Sequence, residues 1–320
     1  MSNSLRIVFM GTPEFAVASL KSLVESKSNV VAVVTAPDRP AGRGQKLLAS
    51  PVKTYALQAG LTVLQPEKLK APDFLETLRS LQADLQIVVA FRMLPEVVWN
   101  MPPLGTFNLH GSLLPQYRGA APINWAIIQG ETVTGVTTFF IEKDIDTGKI
   151  IFQDRENIMP DDDAGTLYER LMHKGAALVV RTVEAIETGH YPQVEQNETS
   201  SLQPAPKIFR ETCELDWTHT SQTLHNKIRG LSPYPAAWCN LSDLTCKIFK
   251  TKILEENGDA QPGVFRTDNK TYLHFKTGDG WLSILNLQLQ GKKRMDIDDF
   301  LRGNRLNPTD WSRPNVKEDQ

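Results

Sequence analysis

Short apolar segments alternate with helical patterns through the amino-terminal part of the chain, and this alternation restricts the fold more than any other feature. Residues 5–9 and 29–35 are predominantly apolar, which is typical of strands buried on both faces of a parallel sheet. Helical patterns separate such segments: Thr12 is expected to cap a first helix, and Ser50 a second one. We therefore predict an α/β fold, a doubly wound and mostly parallel sheet with helices on both faces.

The pattern changes after Gly189. Residues 190–207 are polar, contain prolines and serines, and lack periodicity, so they predict a linker that is longer than the loops of compact domains. Beyond the linker, short strand patterns separated by Gly and Asx turns are typical of a small β-barrel. We predict two domains, at residues 1–189 and 208–320.

Composition excludes several classes of protein. Apolar residues make up 41% of the 320 residues and charged residues 22%, with a net charge of −2, as in ordinary globular proteins. The three cysteines lack the spacing of a metal site, and we expect buried thiols in a reducing compartment. No apolar segment approaches the roughly 20 residues of a membrane helix. Without a secretory signal in the first residues, a cytoplasmic protein is expected.

Asn108 and His110 are the first candidates for chemistry. They lie two residues apart on a predicted strand, so their side chains point to the same face. Ligands of open α/β sheets bind at the carboxyl ends of strands, where this pair is expected to lie. An amide and an imidazolium aimed at one point form an oxyanion hole, each donor contributing about 3 kcal/mol to transition-state stabilisation. The alternative is a core histidine beside a turn asparagine.

A carboxylate near the histidine is needed to complete such a site. The turn at residues 144–148 contains Asp144 and Asp146. An aspartate there could raise the pKa of the histidine and accept a proton from an amine nucleophile. Asp-Thr-Gly is also a good hairpin turn, which is the alternative interpretation. The spacing does not choose between the two aspartates.

Two loops have the composition of binding elements. In residues 111–119, Leu113, Leu114 and Pro115 would form an apolar slot, and Arg118 could bind a carboxylate or fix the loop. Residues 36–47 form a basic loop rich in glycine and proline, which suits a phosphate backbone or is a solvated run of charge. The segment after the first strand lacks the glycines of a dinucleotide site, and no phosphate-binding P-loop occurs.

Several segments together resemble one family. The segments GTPEFAVASL, APDRPAGRGQKL, SPVK, NLHGSLLPQYRGAAPINWAI, DTG and KTGDGWL occur in this order over essentially the whole chain. They resemble the methionyl-tRNA formyltransferase family. The resemblance implies a Rossmann-like sheet domain of the formyltransferase type, followed by an OB-like β-barrel that binds tRNA. It also implies transfer of a formyl group from 10-formyltetrahydrofolate to the α-amino group of methionyl initiator tRNA.

The same resemblance assigns roles to individual residues. Asn108 and His110 would polarise the formyl oxygen and stabilise the oxyanion, and Asp146 matches the catalytic carboxylate. No metal and no covalent enzyme intermediate are implied. The residues implied in binding folate are Ser112, Leu113, Leu114 and Pro115, and those implied in binding tRNA are Arg43 and Lys207. We expect a monomer that does not associate with membranes.

One segment departs from the family pattern. Residues 88–95 read VVAFRMLP, one residue shorter than in the family, with Phe91 and Arg92 where tyrosine and glycine are usual. The backbone contacts of this loop with the pterin are therefore not implied by the resemblance. Arg92 either reaches the glutamate tail of the folate or faces water, and water is favoured.

Two other functions are weighed against this one. The first is another enzyme that uses 10-formyltetrahydrofolate, either a formyltransferase with a small-molecule acceptor or a hydrolase. The basic loop and the second domain argue against it, since a small acceptor needs neither. The second is a tRNA-binding protein without catalysis, against which the Asn, His and Asp set argues.

Overall fold

The structure, a computed structural model, describes residues 4–41, 46–197, 201–241, 244–256 and 258–307. Its contacts form two compact units. The first comprises Met1–Pro122, Val133–Asn157 and Tyr168–Ala205, and the second comprises Ile123–Thr132, Ile158–Leu167 and Pro206–Gln320. The limits given above for two domains and the linker at residues 190–207 stay predictions. Arg43 lies outside the described residues.

The helices follow the predicted segments. Among the described residues the α-helices are α1 Glu14–Glu25, α2 Pro51–Gln58, α3 Pro72–Ser80, α4 Glu96–Trp99, α5 Pro122–Ile128, α6 Ala164–Thr188, α7 Ser221–Leu231 and α8 Ile297–Gly303. The Ser50 hydroxyl accepts a hydrogen bond from the Lys53 N–H at 3.0 Å, which confirms the predicted cap of α2. The cap predicted at Thr12 is wrong. Pro13 occupies that position with extended backbone and no side-chain hydrogen bond, so α1 begins one residue later.

The first unit is built on a seven-stranded sheet. The strands of this unit are β1 Ile7–Gly11, β2 Val30–Val34, β3 Arg39–Ala41, β4 Lys46–Leu48, β5 Val63–Leu64, β6 Leu85–Val89, β7 Thr106–His110, β8 Val133–Phe140 and β9 Ile150–Asn157. All of them except β3 and β4, which pair with each other, belong to the seven-stranded sheet. The order in the main sheet is β5-β2-β1-β6-β7-β8-β9, parallel from β5 to β7 and antiparallel from β7 to β9. The predicted doubly wound, mostly parallel sheet is confirmed.

The strand order reverses direction between β1 and β6. From β1 the chain adds β2 and β5 on one side, then returns to add β6 and β7 on the other. All residues of β1 and β6 are buried, as expected for strands covered on both faces. In such sheets ligands bind beyond the carboxyl ends of the strands at the point of reversal. The carboxyl ends of β6 and β7 are therefore the place to look for a site.

The basic loop of residues 36–47 is more regular than predicted. Its described parts form a short antiparallel ladder, β3 with β4, in which Arg39 lies opposite Leu48. At its base the Lys53 ammonium lies 2.6 Å from the Asp38 carboxylate. This contact and a hydrogen bond from Gln65 lower the pKa of the Asp38 carboxyl group. The first residues of the basic loop are therefore held in place by the contacts of Asp38.

The second unit contains an antiparallel sheet. Its strands are β10 Ala237–Leu241, β11 Leu244–Leu254, β12 Phe265–Thr267, β13 Leu273–Lys276, β14 Trp281–Leu289 and β15 Met295–Asp296. The order is β10-β11-β14-β13-β12, with β15 paired to β14. Among the described residues no ladder joins β10 to β12, so the sheet is open there, and OB folds are also partly open. The structure confirms a second domain with an antiparallel sheet, where a small β-barrel is predicted.

An apolar cluster forms the core of the second unit, and it includes all three cysteines, Cys213, Cys239 and Cys246. Burial raises the pKa of the Cys246 thiol to about 12, so this side chain behaves as a small apolar residue. The prediction of buried thiols is confirmed. No helix within the described ranges has both the length and the apolar character that crossing a membrane requires.

Candidate active site

Asn108 and His110 lie on β7, at the carboxyl end of the parallel part of the sheet. Strand β6 pairs with β7 in parallel, Val88 opposite Asn108, and β8 pairs with it antiparallel, Phe139 opposite Asn108 and Thr137 opposite His110. The two side chains therefore point to one face of a regular strand. The Asn108 amide is partly exposed and has no hydrogen-bond partner within the described part of the chain. It is available to a ligand.

His110 is buried between two polar groups, with a side chain only 6% exposed. Its Nε2 lies 2.8 Å from the Tyr117 carbonyl oxygen, and since a carbonyl only accepts, this nitrogen is the one that donates. Its Nδ1 then faces Asp146, with Oδ2 at 3.8 Å. That distance exceeds a hydrogen bond but is within ion-pair range when the ring is protonated. The Tyr117 contact thus leaves Nδ1 for chemistry.

The structure brings Asp146, and not Asp144, to the histidine. The Asp146 side chain is 14% exposed, and its Oδ2 accepts a hydrogen bond from the Gly119 N–H at 2.9 Å. Asp144 is exposed to solvent, and its carbonyl accepts from the Thr147 hydroxyl within the turn. Sequence spacing does not distinguish Asp144 from Asp146 as the carboxylate near His110, whereas the conformation of the turn does.

Left-handed backbone occurs at three residues of this region. Tyr117 has φ 60°, Asp146 has φ 57°, and Ala90, directly after β6, has φ 47°. This conformation costs a residue other than glycine of order 1–3 kcal/mol, and it persists only where neighbouring contacts impose it. Two of the three residues are the immediate partners of His110. The local strain thus coincides with the polar cluster.

Ser112 contributes its side chain to the loop itself. The side chain is fully buried, and its hydroxyl donates to the Gln116 carbonyl at 2.6 Å. Its own carbonyl accepts from the Thr137 hydroxyl at 2.6 Å. The hydroxyl is therefore committed to the turn. A contact of Ser112 with folate stays a prediction, and it would use the backbone.

Leu113, Leu114 and Pro115 continue this loop across β8 and β9. Leu114 is buried, and its carbonyl accepts from Gln153 Nε2 at 2.8 Å. Leu113 packs so closely over Gly135 that a Cβ there would lie 2.6 Å from a Leu113 methyl carbon. Side chains of β8 and β9 thus hold the loop in place. The contact of this loop with folate stays a prediction.

The loop after β6 carries the departure from the family pattern. Arg92 is exposed, and its guanidinium donates to the Glu67 carbonyl at 2.9 Å and to the Pro66 carbonyl. It also lies 5.6 Å from the centre of the Phe91 ring. The exposed Arg92 side chain thus holds the segment after β5, and the choice between the glutamate tail of the folate and water stays a prediction. Met93 beside it is 74% exposed.

Two alternatives are open for Arg118, binding a carboxylate or fixing the loop, and its contacts with Gln196 match the second. Its Nε and Nη2 donate to Gln196 Oε1 at 3.2 and 2.9 Å. The sequence pointed to neither Gln196 nor Thr137 as part of the site. Both act through contacts with residues distant in the chain, so no local pattern signals them.

Lys207 belongs to the second unit. It is exposed, and its ammonium lies 5.5 Å from the centre of the Phe209 ring, which is itself largely exposed. Its predicted contact with tRNA stays a prediction. Within the described ranges no group of three or more His, Cys, Asp or Glu side chains is placed to bind a metal ion.

Solved structures share this fold. WlaRD, described as a sugar 3N-formyl transferase in the presence of dTDP and 5-N-formyl-THF, aligns with a TM-score of 0.65 over 91% of this chain and 100% of its own, at 21% identity. HypX from Aquifex aeolicus, in complex with tetrahydrofolic acid, aligns with a TM-score of 0.63 over 93% of this chain and 47% of its own, at 19% identity. At these identities the likeness shows the fold alone.

Comparisons of the sequence identify the family. The family described as "Formyl transferase" matches residues 5–183, and "Formyl transferase, C-terminal domain" matches residues 207–305. The methionyl-tRNA formyltransferase of Bacteroides fragilis strain YCH46 is 54% identical, over 93% of this chain and 95% of its own. That of Phocaeicola vulgatus is 57% identical, over 94% and 96%. The chain belongs to the formyl transferase family and, within it, to the methionyl-tRNA formyltransferases.

Proposed function

We propose that this protein transfers the formyl group of 10-formyltetrahydrofolate to the α-amino group of methionyl initiator tRNA. Membership of the family supports the reaction. The position of His110 is the observation that supports the site. His110 lies on the same strand as Asn108, and its Nδ1 faces the Asp146 carboxylate 3.8 Å away. These groups come from two separate segments, and they suit attack of an amine on a carbonyl.

The α-amino group of an aminoacyl ester is the nucleophile. With a pKa near 8 or lower, a useful fraction is neutral at pH 7 and can attack the formyl carbon. A C–N bond forms, and the formyl oxygen becomes an oxyanion. Asn108 Nδ2 and protonated His110 Nδ1 donate hydrogen bonds to that oxygen, which lowers the barrier. The Tyr117 carbonyl orients the ring by accepting from Nε2.

Asp146 serves the proton transfers in this proposal. Its carboxylate faces Nδ1 of His110 and accepts the proton that the amine loses. The tetrahedral intermediate then breaks its bond to N10 of the folate, and that nitrogen takes up the proton. No charge is left over, so neither a metal nor a covalent enzyme intermediate is needed. Positioning and hydrogen bonding supply the catalysis.

Both substrates are assigned to segments of the chain. Folate-bound solved structures of the same fold support a folate-derived donor. We place the donor against residues 112–115, where the apolar side chains form one wall. We place tRNA on the second unit and on the basic loop, with Lys207 and Arg43 as contacts. Such contacts neutralise phosphates and depend on salt. The protein acts as a cytoplasmic monomer in this proposal.

The proposed reaction is tested by following a radioactive formyl group from the donor to the product. Enzyme, methionyl initiator tRNA and the donor with a [14C]formyl group are incubated, and the product is separated by acid precipitation. We expect label in acid-precipitable material that RNase releases. Label in a small product or in free formate would support the alternative, a small-molecule acceptor or a hydrolase, and would contradict the proposal. Omitting the methionyl group from the tRNA should abolish incorporation.

A further inference from the structure

Residues 194–197 and 201–205, here together called the docked segment, lie against the candidate active site. Val194 exchanges two backbone hydrogen bonds with Ile150 at the start of β9, at 2.8 and 2.9 Å. At its other end, the Ala205 N–H donates to the Arg118 carbonyl at 2.8 Å, and the Ala205 carbonyl accepts from Ala120 at 2.7 Å. The polar sequence without periodicity predicts a linker, and its described parts are hydrogen-bonded to both sides of the site.

The docked segment also reaches the partner of the catalytic histidine. The Gln203 carbonyl accepts a hydrogen bond from the Tyr117 N–H at 2.7 Å. Tyr117 has left-handed backbone, and its carbonyl is the acceptor for His110 Nε2. One side of the His110 ring is therefore positioned by a peptide group that the segment holds.

On the other side of the His110 ring, both the nitrogen and the oxygen of the Gln196 side-chain amide form hydrogen bonds. Its Nε2 donates to the Asp146 carbonyl at 2.9 Å and to the Gly148 carbonyl at 2.8 Å. Its Oε1 accepts from the Arg118 guanidinium at 2.9 and 3.2 Å. Arg118 directly precedes Gly119, whose N–H donates to Asp146 Oδ2. A single side chain thus connects the Asp146 turn to the segment that binds the Asp146 carboxylate.

We propose that Gln196 is a positioning residue for Asp146 and thereby for the proton transfers at His110. Asp146 occupies a strained left-handed conformation, and such residues persist only where neighbouring contacts impose it. The two N–H groups of the Gln196 amide donate to the carbonyl of the strained residue itself and to that of Gly148, two residues later. Without them those carbonyls lose their side-chain donor, and the turn is free to relax away from His110. This inference rests on the proposed role of Asp146.

Two substitutions distinguish the role of the hydrogen-bond donors of the Gln196 side chain from that of its acceptor oxygen. Gln196→Ala removes all four hydrogen bonds. Gln196→Glu retains an acceptor for Arg118 but loses both donors, and it places negative charge beside two carbonyl oxygens. If positioning acts through the donors, both variants lower kcat by about 10- to 100-fold, because small displacements of reacting groups have effects of this size. KM for both substrates stays within about 2-fold, since Gln196 touches neither substrate in this proposal.

The matched control is Gln193→Ala. Gln193 lies just before the docked segment, is exposed, and has no side-chain hydrogen bond within the described residues. We expect its kcat to equal that of the unchanged protein. Thermal unfolding of each variant, followed by circular dichroism, defines a temperature at which all are folded, and rates are compared there. A kcat of Gln196→Glu equal to that of the unchanged protein overturns the inference.

A double-mutant cycle with Asp146→Asn distinguishes positioning from general support of the fold. In single-turnover assays, Gln196→Ala should lower the rate by less than about 3-fold when Asp146 is already replaced, because coupled residues are not additive. An equal loss in both backgrounds overturns the inference. If Asp146→Asn itself leaves the rate unchanged, the proposed function of Asp146 fails first. If Asp146→Asn is impaired while Gln196→Ala is not, only the inference about Gln196 fails.

Discussion

The two sheets of this protein bury their strands in different ways. In the first unit, β1 and β6 are buried along their whole length, so both faces are covered. In the second unit, β11 alternates, with Cys246, Ile248 and Thr251 buried and Lys250 and Lys252 exposed. The first sheet therefore has room for polar chemistry only where its strands end. The second sheet exposes charged side chains along part of β11.

The difference assigns separate tasks to the two units. At the end of β7, His110 and Ser112 are buried, so their hydrogen bonds act in a medium of low dielectric. Lys250 and Lys252 of β11 lie in solvent, where each charge interacts weakly and salt screens it. We therefore expect substitutions at the first place to change the rate of the chemical step. Substitutions at the second should change the salt dependence of binding.

The largest expected effect is that of His110→Ala. Removing one oxyanion donor lowers kcat by about 10²- to 10³-fold, because the hydrogen bond forms to charge that develops in the transition state. KM should change little. Steady-state formyl transfer measures both constants. The matched control is His190→Ala, an exposed histidine whose ring hydrogen-bonds to the Thr188 carbonyl of its own segment. A kcat of His110→Ala equal to that of the unchanged protein would contradict the claim that the first sheet carries the chemical step.

A change in the core of the second sheet should affect stability instead. Ile284 on β14 is fully buried within the apolar cluster. Ile284→Ala should lower the free energy of unfolding by about 3 kcal/mol through lost burial and a cavity. Urea denaturation measures the change, with the exposed Leu244→Ala as the control, at about 0.5 kcal/mol. A loss of kcat in folded Ile284→Ala would show that the two tasks are not separate.

The exposed lysines of β11 should show a smaller effect, on binding alone. Lys250→Ala together with Lys252→Ala should weaken tRNA binding and reduce the slope of log K against log salt by about 1 to 2. The reason is that fewer counterions are released when fewer phosphates are neutralised. Filter binding over a range of salt concentrations measures the slope, and folate binding is the control. An unchanged slope would mean that this face does not contact tRNA.

The smallest effect concerns acid stability of the second unit. Burial, followed by the nearby Arg229 charge, lowers the pKa of His225, whereas Asp161 acts in the opposite direction. A neutral His225, bonded through Nδ1 to the Thr251 hydroxyl, therefore stabilises the folded state above its unfolded pKa of about 6.5. That stability is lost as the pH falls below this value, since the unfolded chain binds the proton more readily.

His225→Gln should remove part of this dependence. The difference between the urea midpoints at pH 7.5 and pH 5.5 should be smaller in the variant than in the unchanged protein. His219→Gln is the matched control, because His219 is exposed. An identical pH dependence in His225→Gln and the unchanged protein would contradict the role of burial.

Periodicity predicted both sheets because each strand follows a local rule. The buried segments of the first sheet and the alternation of β11 are properties of neighbouring residues. The cap at Ser50 follows from the same kind of local chemistry. The failure at Thr12 shows the limit of such rules, since the extended backbone of Pro13 moved the start of α1 by one residue.

The candidate site was only partly predictable. Asn108 and His110 could be found because two residues on one strand share a face. The choice between Asp144 and Asp146 depends on a turn with φ 57° at Asp146, which no spacing rule specifies. Gln196 lies 50 residues from the carbonyl that it binds, in a segment without periodicity. Long-range hydrogen bonds leave no local signal.

A comparison of Asp146→Asn with Asp144→Asn tests the central claim most directly. Single-turnover formyl transfer to methionyl initiator tRNA should be slower by about 10²-fold or more in Asp146→Asn, which loses the charge that faces His110. Asp144→Asn, on the exposed side of the same turn, should keep its rate within about 2-fold. Equal rates for the two variants, or a slower Asp144→Asn, would contradict the account.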